Sequence, residues 1–403
     1  MLRIVKFLSV CLVSVFLISS CSSPSDIAVE YVEVKGNKIP KIHVEKIQDQ
    51  TEIKLTDWYE DIRLIPLEST EESLFSYPSQ IFVGLEYIVV STFKSGILLF
   101  DANGGFIRIL APRGKGPGEV KDANRNIFVD DKNHQLYVTD MYLHPRKILR
   151  IGIKTGIIKY IDLKNTGGEF AIREIVVRDD SLMICTTMQY SNFPSESPLF
   201  CQTTSGNLLW ELNKVHPLGL QAGGINLVDE KLYFYYLYAG DTIFGLENNS
   251  LKPIVILNSN RERAEYKKEK GSIRMKLVPL TENLFKGSFS LVTDAVNDDR
   301  YGRKKVRMAP WKDFIFNRKS GKAQLIGKIK DDYWGGGDPI YMGIDQNGVG
   351  IETYQAIELL EMADSVINLP EISKKQKSRL EQILQTVDEN DNPYLLVGKL
   401  KEL

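Results

Sequence analysis

The sequence predicts an all-β protein, a six-bladed β-propeller, and two observations support this prediction. Short apolar runs of strand length recur along the chain in groups of four, and turn residues separate them. Glycine-rich segments fall between successive groups, where a chain that returns from the rim of one blade to the central channel needs tight turns. Six units of about 40 to 60 residues fit a propeller.

The first two units are the most regular. Strands of the first are expected at Ile81–Val83, Tyr87–Ser91, Gly96–Phe100 and Phe106–Leu110, and the pattern recurs from Asn126 to Ile161. The other units are more irregular. They are expected over Ile172–Leu212, about Gly224–Leu257, about Phe289–Ile329 and from Pro339 onward.

Two terminal strands are left over for closing the ring. Ile62–Leu67 precedes the first unit, and Tyr394–Leu400 follows the last. A propeller needs a closure that keeps its first and last blades together. We therefore expect both segments in the sixth blade.

Two segments have helical rather than strand character. Residues 260–278 are rich in Arg, Lys and Glu, which predicts a charged helical insert between the fourth and fifth blades. Residues 373–387 predict a C-terminal helix, because Ser373 and Gln376 form a capping box before an apolar stripe. Both are expected to pack outside the ring.

The N-terminus has the pattern of a lipoprotein signal peptide over residues 1–20. Arg3 and Lys6 precede an apolar run, and small residues lie before Cys21. The run is too short for a transmembrane helix, which takes about 20 residues. Cleavage before Cys21 and its acylation would anchor the chain to a membrane; the alternative is a secreted protein with an incidental Cys21. We expect a tether and N-terminal extension over 21–50, with the propeller over 51–403.

Charge and cysteine content limit the functional classes. The 51 Lys and Arg balance 52 Asp and Glu, so no basic field indicates nucleic acid. Four cysteines are present, and two of them, Cys185 and Cys201, lie in the folded part. They form either a disulfide across one hairpin or two separate buried thiols.

Several motifs resemble a known group of proteins. They are Ile65-Pro66-Leu67-Glu68, the turn from Phe100 to Phe106, Gly114-Lys115-Gly116-Pro117-Gly118-Glu119 and the terminal Asp391–Leu396. The chain resembles the six-bladed β-propeller lipoproteins of Bacteroidota. This resemblance implies a propeller fold, a lipid anchor and a cell-envelope location, for which we expect the outer membrane. It implies no reaction.

The loop from Gly114 to Glu119 is the most distinctive of these motifs. Its glycines and the adjacent Arg113 favour anion binding, but it lacks the Gly-Lys-Ser/Thr of a P-loop. Its structural interpretation is an inter-blade turn with Arg113 or Lys115 paired to Glu119. The alternative is ligand contact at the channel mouth.

Ring symmetry leads to a binding-site hypothesis. The links Gly114–Glu119, Gly167–Glu169, Gly223-Gly224 and Gly335–Asp338 share one position in their repeats, which predicts a common face. We expect a pocket there, lined by Arg113, Lys115, Trp334 and Asp338. The aromatic run Tyr233–Tyr236 and Trp334 either stack on a flat ligand such as a sugar or pack between blades.

Metal chemistry has little support in the sequence. The four histidines are scattered without ligand spacing, so no metal ligand is assigned. Asp388–Asn392 resembles a calcium loop, but Pro393 replaces the required glycine and Lys399 the bidentate glutamate. Calcium held in a propeller channel by residues of different blades stays an open alternative.

Two functions follow from these features. The first is a ligand-binding or interaction propeller with a glycan, peptide or protein ligand at one face and no nucleic acid partner. The alternative is a metal-dependent hydrolase or lyase with its site in the channel. Convergence of Asp, Glu and Asn side chains from three blades on one point would favour the enzyme.

Overall fold

The strands form a propeller arrangement around a central channel. The computed structural model describes residues 27–401 except for 122–126, 140–146, 164–170, 179–181, 189–198, 213–222, 237–240, 260, 262–269, 299–302, 337–342 and 346–347. Within these residues the strands form six sheets, numbered here along the chain as sheets 1 to 6. The protein is all-β with few helices.

An N-terminal segment, here called the belt, supplies the first four strands. They are β1 (Val29–Val34), β2 (Asn37–His43), β3 (Gln50–Lys54) and β4 (Tyr59–Pro66), with a 3-10 turn at Val44–Lys46 and a short helix α1 at Leu55–Trp58. The region 21–50, predicted as a tether and N-terminal extension, thus includes the hairpin of β1 and β2. Residues 21–26 lie outside the described residues.

Sheets 1 to 3 are four-stranded meanders in which each strand pairs with the next along the chain. Sheet 1 consists of β5 (Pro78–Val83), β6 (Tyr87–Thr92), β7 (Gly96–Asp101) and β8 (Phe106–Pro112). Sheet 2 consists of β9 (Ile127–Asp130), β10 (Gln135–Thr139), β11 (Lys147–Gly152) and β12 (Ile158–Asp162). Sheet 3 consists of β13 (Ala171–Arg178), β14 (Leu182–Met188), β15 (Leu199–Thr203) and β16 (Leu208–Glu211).

Sheets 4 and 5 follow the same order but gain belt strands at their outer edges. Sheet 4 consists of β17 (Gly223–Val228), β18 (Lys231–Tyr236), β19 (Thr242–Glu247) and β20 (Ser250–Asn258). Sheet 5 consists of β21 (Ile273–Pro279), β22 (Leu284–Asp298), β24 (Lys312–Asn317) and β25 (Lys322–Lys330), and β23 (Arg303–Met308) pairs with the far half of β22. Belt strand β2 runs parallel to β20, and β3 runs parallel to β25.

Sheet 6 joins the two ends of the chain. It consists of β26 (Gly343–Ile344), β27 (Val349–Tyr354), β28 (Tyr394–Leu400) and belt strand β4. The register places Leu395 opposite Ile65 in the antiparallel pair of β28 and β4. The predicted sharing of one sheet by the two terminal strands is therefore confirmed.

Two helices lie between β27 and β28. Helix α2 covers Ala356–Val366, and helix α3 covers Lys374–Thr386. The Ser373 hydroxyl accepts a hydrogen bond from the Gln376 N–H, and the Gln376 side chain returns to the Ser373 N–H, so the predicted capping box is confirmed. Among the described residues, no helix has the length and apolar character to cross a membrane.

The predicted helical insert over 260–278 is wrong at its C-terminal end. Residues 273–279 form β21, in which Ile273, Met275 and Leu277 are buried and alternate with more exposed residues. This period of two fits the inner strand of a sheet, and the charged residues before it do not decide its structure. The fifth unit consequently begins at Ile273 rather than Phe289. Residues 260 and 262–269 lie outside the described residues.

Hydrophobic clusters join neighbouring sheets. They connect sheet 1 with sheet 2, sheets 2, 3 and 4 with one another, sheet 4 with sheet 5, and sheet 5 with sheet 6 and the two helices. A further cluster joins Ile65 and Val397 of sheet 6 to Val83 and Ile88 of sheet 1. The last sheet thus packs on the first.

Cys201 of sheet 3 is not cross-linked. Cys201 is a free, buried thiol, and its cross-strand partner is Ile184 rather than Cys185. Burial raises the pKa of this thiol to about 11, which keeps it protonated. Of the two sequence alternatives, the disulfide is therefore excluded by the register.

Candidate functional site

A cavity of about 1770 Å³ lies along the propeller channel. The innermost strands of sheets 1 to 5, β5, β9, β13, β17 and β21, contribute to its wall, and sheet 6 contributes Ile351 and Thr353 of β27. A space of this size exceeds the few hundred to 1,000 Å³ that is usual for small-molecule sites.

Side chains of one inner strand or inner loop cap backbone N–H groups of the next sheet. The acceptor of each pair precedes its donor around the ring, and the last pair runs from sheet 6 back to sheet 1. The pairs are Gln80 with Ile127 N (3.2 Å), Glu174 with Ile225 N (2.5 Å), Asp229 with Glu282 N (2.9 Å) and Asp345 with Val83 N (3.3 Å). These polar side chains therefore hold neighbouring sheets together, because each accepts a hydrogen bond from a backbone N–H of the next sheet.

The loops that follow the inner strands make one mouth of the cavity acidic. They belong to sheets 1, 2, 4 and 6 and carry Glu86, Asp130, Asp131, Asp229, Glu230 and Asp345. Basic groups also reach the cavity, namely Arg63, Lys132, Lys286 and Lys399. The lining thus combines hydrogen-bond acceptors and cations around a wide opening, which suits a polar ligand.

Tyr87 connects sheets 1 and 2 beside this mouth. Its ring is 3% exposed, packs edge-on against His134 with centroids 6.0 Å apart, and its hydroxyl lies 3.5 Å from His134 Nδ1. Burial, and next the hydrogen bond to Asp131, raise the pKa of Tyr87. The phenol therefore stays protonated and acts as a hydrogen-bond donor in the wall.

Arg113 and Lys115, which the sequence predicted as ligand contacts, lie outside the cavity lining. Both are exposed at the end of sheet 1 opposite the acidic mouth. Arg113 donates to the carbonyl oxygen of Phe93. The Glu119 carboxylate accepts from the Gly116 N–H at 2.6 Å, so a backbone group holds it rather than the expected cation.

Gly114 of this loop lies directly against the Glu119 carboxylate. A Cβ at Gly114 would stand 1.8 Å from Glu119 Oε2, so no other residue fits without moving the carboxylate. The loop also contacts sheet 2, where the Tyr160 hydroxyl accepts from the Gly118 N–H at 2.9 Å. The loop is thus a turn between sheets 1 and 2.

Trp334 lies in the core rather than at a surface. Its side chain is 1% exposed within the cluster that joins sheets 5 and 6 to the helices, and its ring packs edge-on against Tyr333. The Arg379 guanidinium of α3 covers the Tyr333 ring at 4.0 Å. No ring face of Trp334 is open to a ligand. Asp338 lies outside the described residues.

The aromatic run of sheet 4 is divided between core and cavity. Tyr233 and Phe234 are buried between sheets, whereas Tyr235 contributes to the cavity lining. Gly223 and Gly224 are part of β17 rather than of a link, which corrects the predicted ring of glycine turns. Gly224 faces the Tyr235 ring, because its Cβ would meet that ring at 2.2 Å.

Sequence reasoning missed two acids near the helices, the buried Asp331 and the partly buried Glu352. Burial raises the pKa of Asp331 to about 6, although its carboxylate accepts from the Tyr333 and Trp334 N–H groups. Burial and the Glu358 carboxylate raise the pKa of Glu352 to about 7. Their burial comes from the packing of sheets 5 and 6 with α2, which the local sequence does not show.

The described part of the chain contains no group of three His, Cys, Asp or Glu side chains that could hold a metal ion. In the calcium-like segment Asp388–Asn392, carboxylate oxygens accept hydrogen bonds from groups of the same turn. Asp388 Oδ1 accepts from the Asn390 N–H, and Asp391 Oδ2 accepts from the Asp388 N–H and the Tyr394 hydroxyl. The feature expected to favour an enzyme is the convergence of side chains from three blades on one point. The described residues do not form such a metal-binding group.

Comparisons with known proteins give a fold and a family. A putative exported protein from Bacteroides fragilis NCTC 9343 has a TM-score of 0.59 and 13% identity, covering 88% of this chain and 99% of its own. At this identity the likeness shows the fold alone. No curated protein matches the chain.

Two other solved structures are less similar. A putative 6-phosphogluconolactonase from Bacteroides uniformis ATCC 8492 has a TM-score of 0.34 and 11% identity, covering 57% of this chain and 69% of its own. The extracellular domain of a putative one-component system from B. thetaiotaomicron has a TM-score of 0.35 and 13% identity, covering 73% and 32%. Residues 39–399 match the family model DUF4934, a domain of unknown function, and the chain therefore belongs to the DUF4934 family.

Proposed function

We propose that this protein is a six-bladed propeller lipoprotein of the cell envelope that binds a polar glycan or peptide in its channel. Each of the six sheets is one blade in this proposal, and lipidated Cys21 is the anchor. The support for binding is one observation, the cavity of about 1770 Å³ whose wall comes from strands of all six sheets.

The chemistry of the lining indicates the class of ligand. Carboxylates such as Glu230 and cations such as Lys286 lie on different sheets around one space, with the Tyr235 ring beside them. Carboxylates accept hydrogen bonds from hydroxyl and amide groups, and an aromatic ring stacks on a sugar or a side chain. A ligand that has hydroxyl or amide groups along its length would meet several sheets at once.

Binding has more support than catalysis. The wall carboxylates with assigned partners, Glu174, Asp229 and Asp345, accept hydrogen bonds from backbone N–H groups, which is a structural task. Among the described residues, no group of three His, Cys, Asp or Glu side chains could hold the metal that the alternative enzyme would need. The propeller thus offers a rigid frame for recognition.

The test is a thermal-shift screen of the chain from Ser22 against an oligosaccharide and a peptide library. A ligand that binds only the folded state raises the melting temperature as its concentration increases. Each hit is then titrated by calorimetry with the variants Glu230→Gln and Lys286→Met. At least one variant should weaken binding about tenfold, since a lost hydrogen bond to a charged group costs about 1.5–3 kcal/mol.

Lys319→Met is the matched control, because Lys319 is exposed in the turn between β24 and β25 and does not line the cavity. It should leave both the affinity and the melting temperature unchanged. Equal affinities for wild type and both cavity variants would contradict a channel site.

A further inference from the structure

Two large aromatic side chains are exposed at the same end of sheet 1. Tyr77 is 65% exposed and Phe93 is 57% exposed. They adjoin a cross-strand pair, since Pro78 of β5 is opposite Thr92 of β6. Neighbouring exposed rings of this size indicate a contact surface, whereas single exposed apolar residues do not.

Three basic side chains lie at the same end of sheet 1 as the two rings. Lys94 follows Phe93, and Arg113 follows Pro112, which is opposite Gly96 at the same end of the sheet. Arg113 donates to the Phe93 carbonyl oxygen, so the guanidinium lies directly beside the aromatic residue. Lys115 is exposed two residues further. These five residues, Tyr77, Phe93, Lys94, Arg113 and Lys115, are called the sheet 1 patch.

The turn that presents Lys115 is fixed before any partner arrives. Gly114 N donates to the Val120 carbonyl oxygen at 3.1 Å, and Val120 N donates to the Pro112 oxygen at 2.9 Å. The Glu119 carboxylate fills the inside of the turn and accepts from Gly116 N at 2.6 Å. A rigid turn loses little conformational entropy when it makes contact, which favours its use as a binding element.

The opposite end of sheet 1 carries acidic groups. Glu86 lies there in the turn between β5 and β6 and pairs with Lys154 at 2.6 Å, and the Asp131 carboxylate of sheet 2 lies against Gly84 of the same turn. An anionic plane would attract the sheet 1 patch.

We propose that the sheet 1 patch is a membrane-contact surface that lies on anionic lipid headgroups. Aromatic rings favour the headgroup level of a bilayer, and lysine and arginine are attracted to anionic lipids. The patch residues lie just beyond the ends of β5, β6 and β8, where a flat membrane surface can contact them. In this orientation the acidic mouth of the channel faces away from the membrane, and a ligand reaches it from the solvent.

The experiment measures binding of the non-lipidated chain from Ser22, which contains every described element, to phospholipid vesicles. Co-sedimentation is compared for phosphatidylcholine vesicles with and without phosphatidylglycerol, at low and at high salt. The wild type should bind the anionic vesicles at low salt and lose most of this binding at high salt, because salt screens exposed charges.

Two variants separate the contributions of the patch. Tyr77→Ser with Phe93→Ser should lower partition into anionic vesicles about tenfold or more, since two rings no longer enter the headgroup region. The double variant Lys94→Gln with Lys115→Gln should lower vesicle partition about fivefold for each charge removed, and only when the vesicles contain phosphatidylglycerol. Both variants change exposed side chains, and circular dichroism and melting temperature verify that they fold.

Leu85→Ser is the matched control, since Leu85 is 90% exposed at the other end of the same sheet. It should bind vesicles like the wild type. The proposal is overturned if the wild type does not bind anionic vesicles at low salt, if the Tyr77 and Phe93 variant binds normally, or if Leu85→Ser causes an equal loss. Capture of an acidic polypeptide in place of vesicles would identify the patch as a protein-binding surface instead.

Discussion

The side-chain oxygen of Asn392 accepts a hydrogen bond from the backbone N–H of Phe75 at 2.9 Å, although 317 positions separate them. Asn392 is completely buried, and its amide group also donates to the carbonyl oxygens of Glu68 and Ser73. One side chain thus joins the link that enters sheet 1 to the loop that enters the last strand, β28.

We expect Asn392→Ala to lower the free energy of unfolding by about 3 kcal/mol, because it leaves several buried backbone groups without partners. Urea unfolding followed by tryptophan fluorescence measures this change. Asn390→Ala is the control in the same loop, where the side chain is exposed, and it should cost less than about 1 kcal/mol. Similar losses for the two variants would show that the junction is not stabilised by Asn392.

Trp334→Ala should destabilise the fold by about 3–5 kcal/mol, the usual cost of removing a large buried aromatic side chain. The indole is 1% exposed among residues of sheets 5 and 6 and the helices. Thermal and urea unfolding measure the loss, and Trp311→Ala, at a residue 41% exposed, is the control. A stable Trp334→Ala variant with impaired ligand binding would instead restore Trp334 to the binding site.

Glu352 should make stability depend on pH. Its pKa is raised to about 7 in the folded state, against 4.5 for the ordinary carboxyl. The folded state therefore binds this proton more tightly than the unfolded state, so its contribution to stability is complete below pH 4.5 and is lost as pH rises through 7. After allowance for solvent screening, we expect a loss of about 1–2 kcal/mol.

Glu352→Gln tests this dependence. The variant should unfold at higher urea than the wild type at pH 8 and at nearly equal urea at pH 4, where the wild-type carboxyl is largely protonated in both the folded and the unfolded state. Glu361→Gln, an exposed position of the adjacent helix α2, should leave the pH profile as it is. An identical pH profile for Glu352→Gln and the wild type would mean that the carboxyl does not titrate in this range.

Cys21→Ala should release the protein from the membrane fraction, because the acyl chains on Cys21 are the proposed stable anchor. Fractionation and radiolabelled palmitate incorporation measure the two effects. Ser22→Ala, next to the site, is the control and should stay in the membrane fraction. If Cys21→Ala with a cleaved signal remains wholly membrane-bound at high salt, the anchor lies elsewhere.

The regular strands of the propeller could be predicted because their signals are local. Residues 81–110 alternate short apolar runs with turn residues, and the structure has four strands there. Ser373 and Gln376 identify a helix start by their spacing alone. Helix α2 was missed because it follows β27 directly and its N-cap is Gln355, which is not a common N-cap residue.

Features that depend on distant partners could not be predicted. The parallel pairing of β2 with β20 joins residues that no local pattern relates. The burial of Trp334 results from the packing of sheets 5 and 6 with α2 and α3. The local sequence around a tryptophan that follows a strand does not distinguish a buried position from an exposed one. The channel cavity likewise arises from inner strands that are far apart in the chain.

The belt also determines when the fold can be completed during synthesis. Its strands β2, β3 and β4 leave the ribosome first, yet they pair with β20, β25 and β28, and β28 is the last strand of the chain. Until residues 394–400 exist, β4 has no sheet to join. Loss of the last strand would therefore leave β4 unpaired while β2 and β3 keep their partners, and a protease that cleaves an exposed, unpaired strand would detect an incomplete C-terminus.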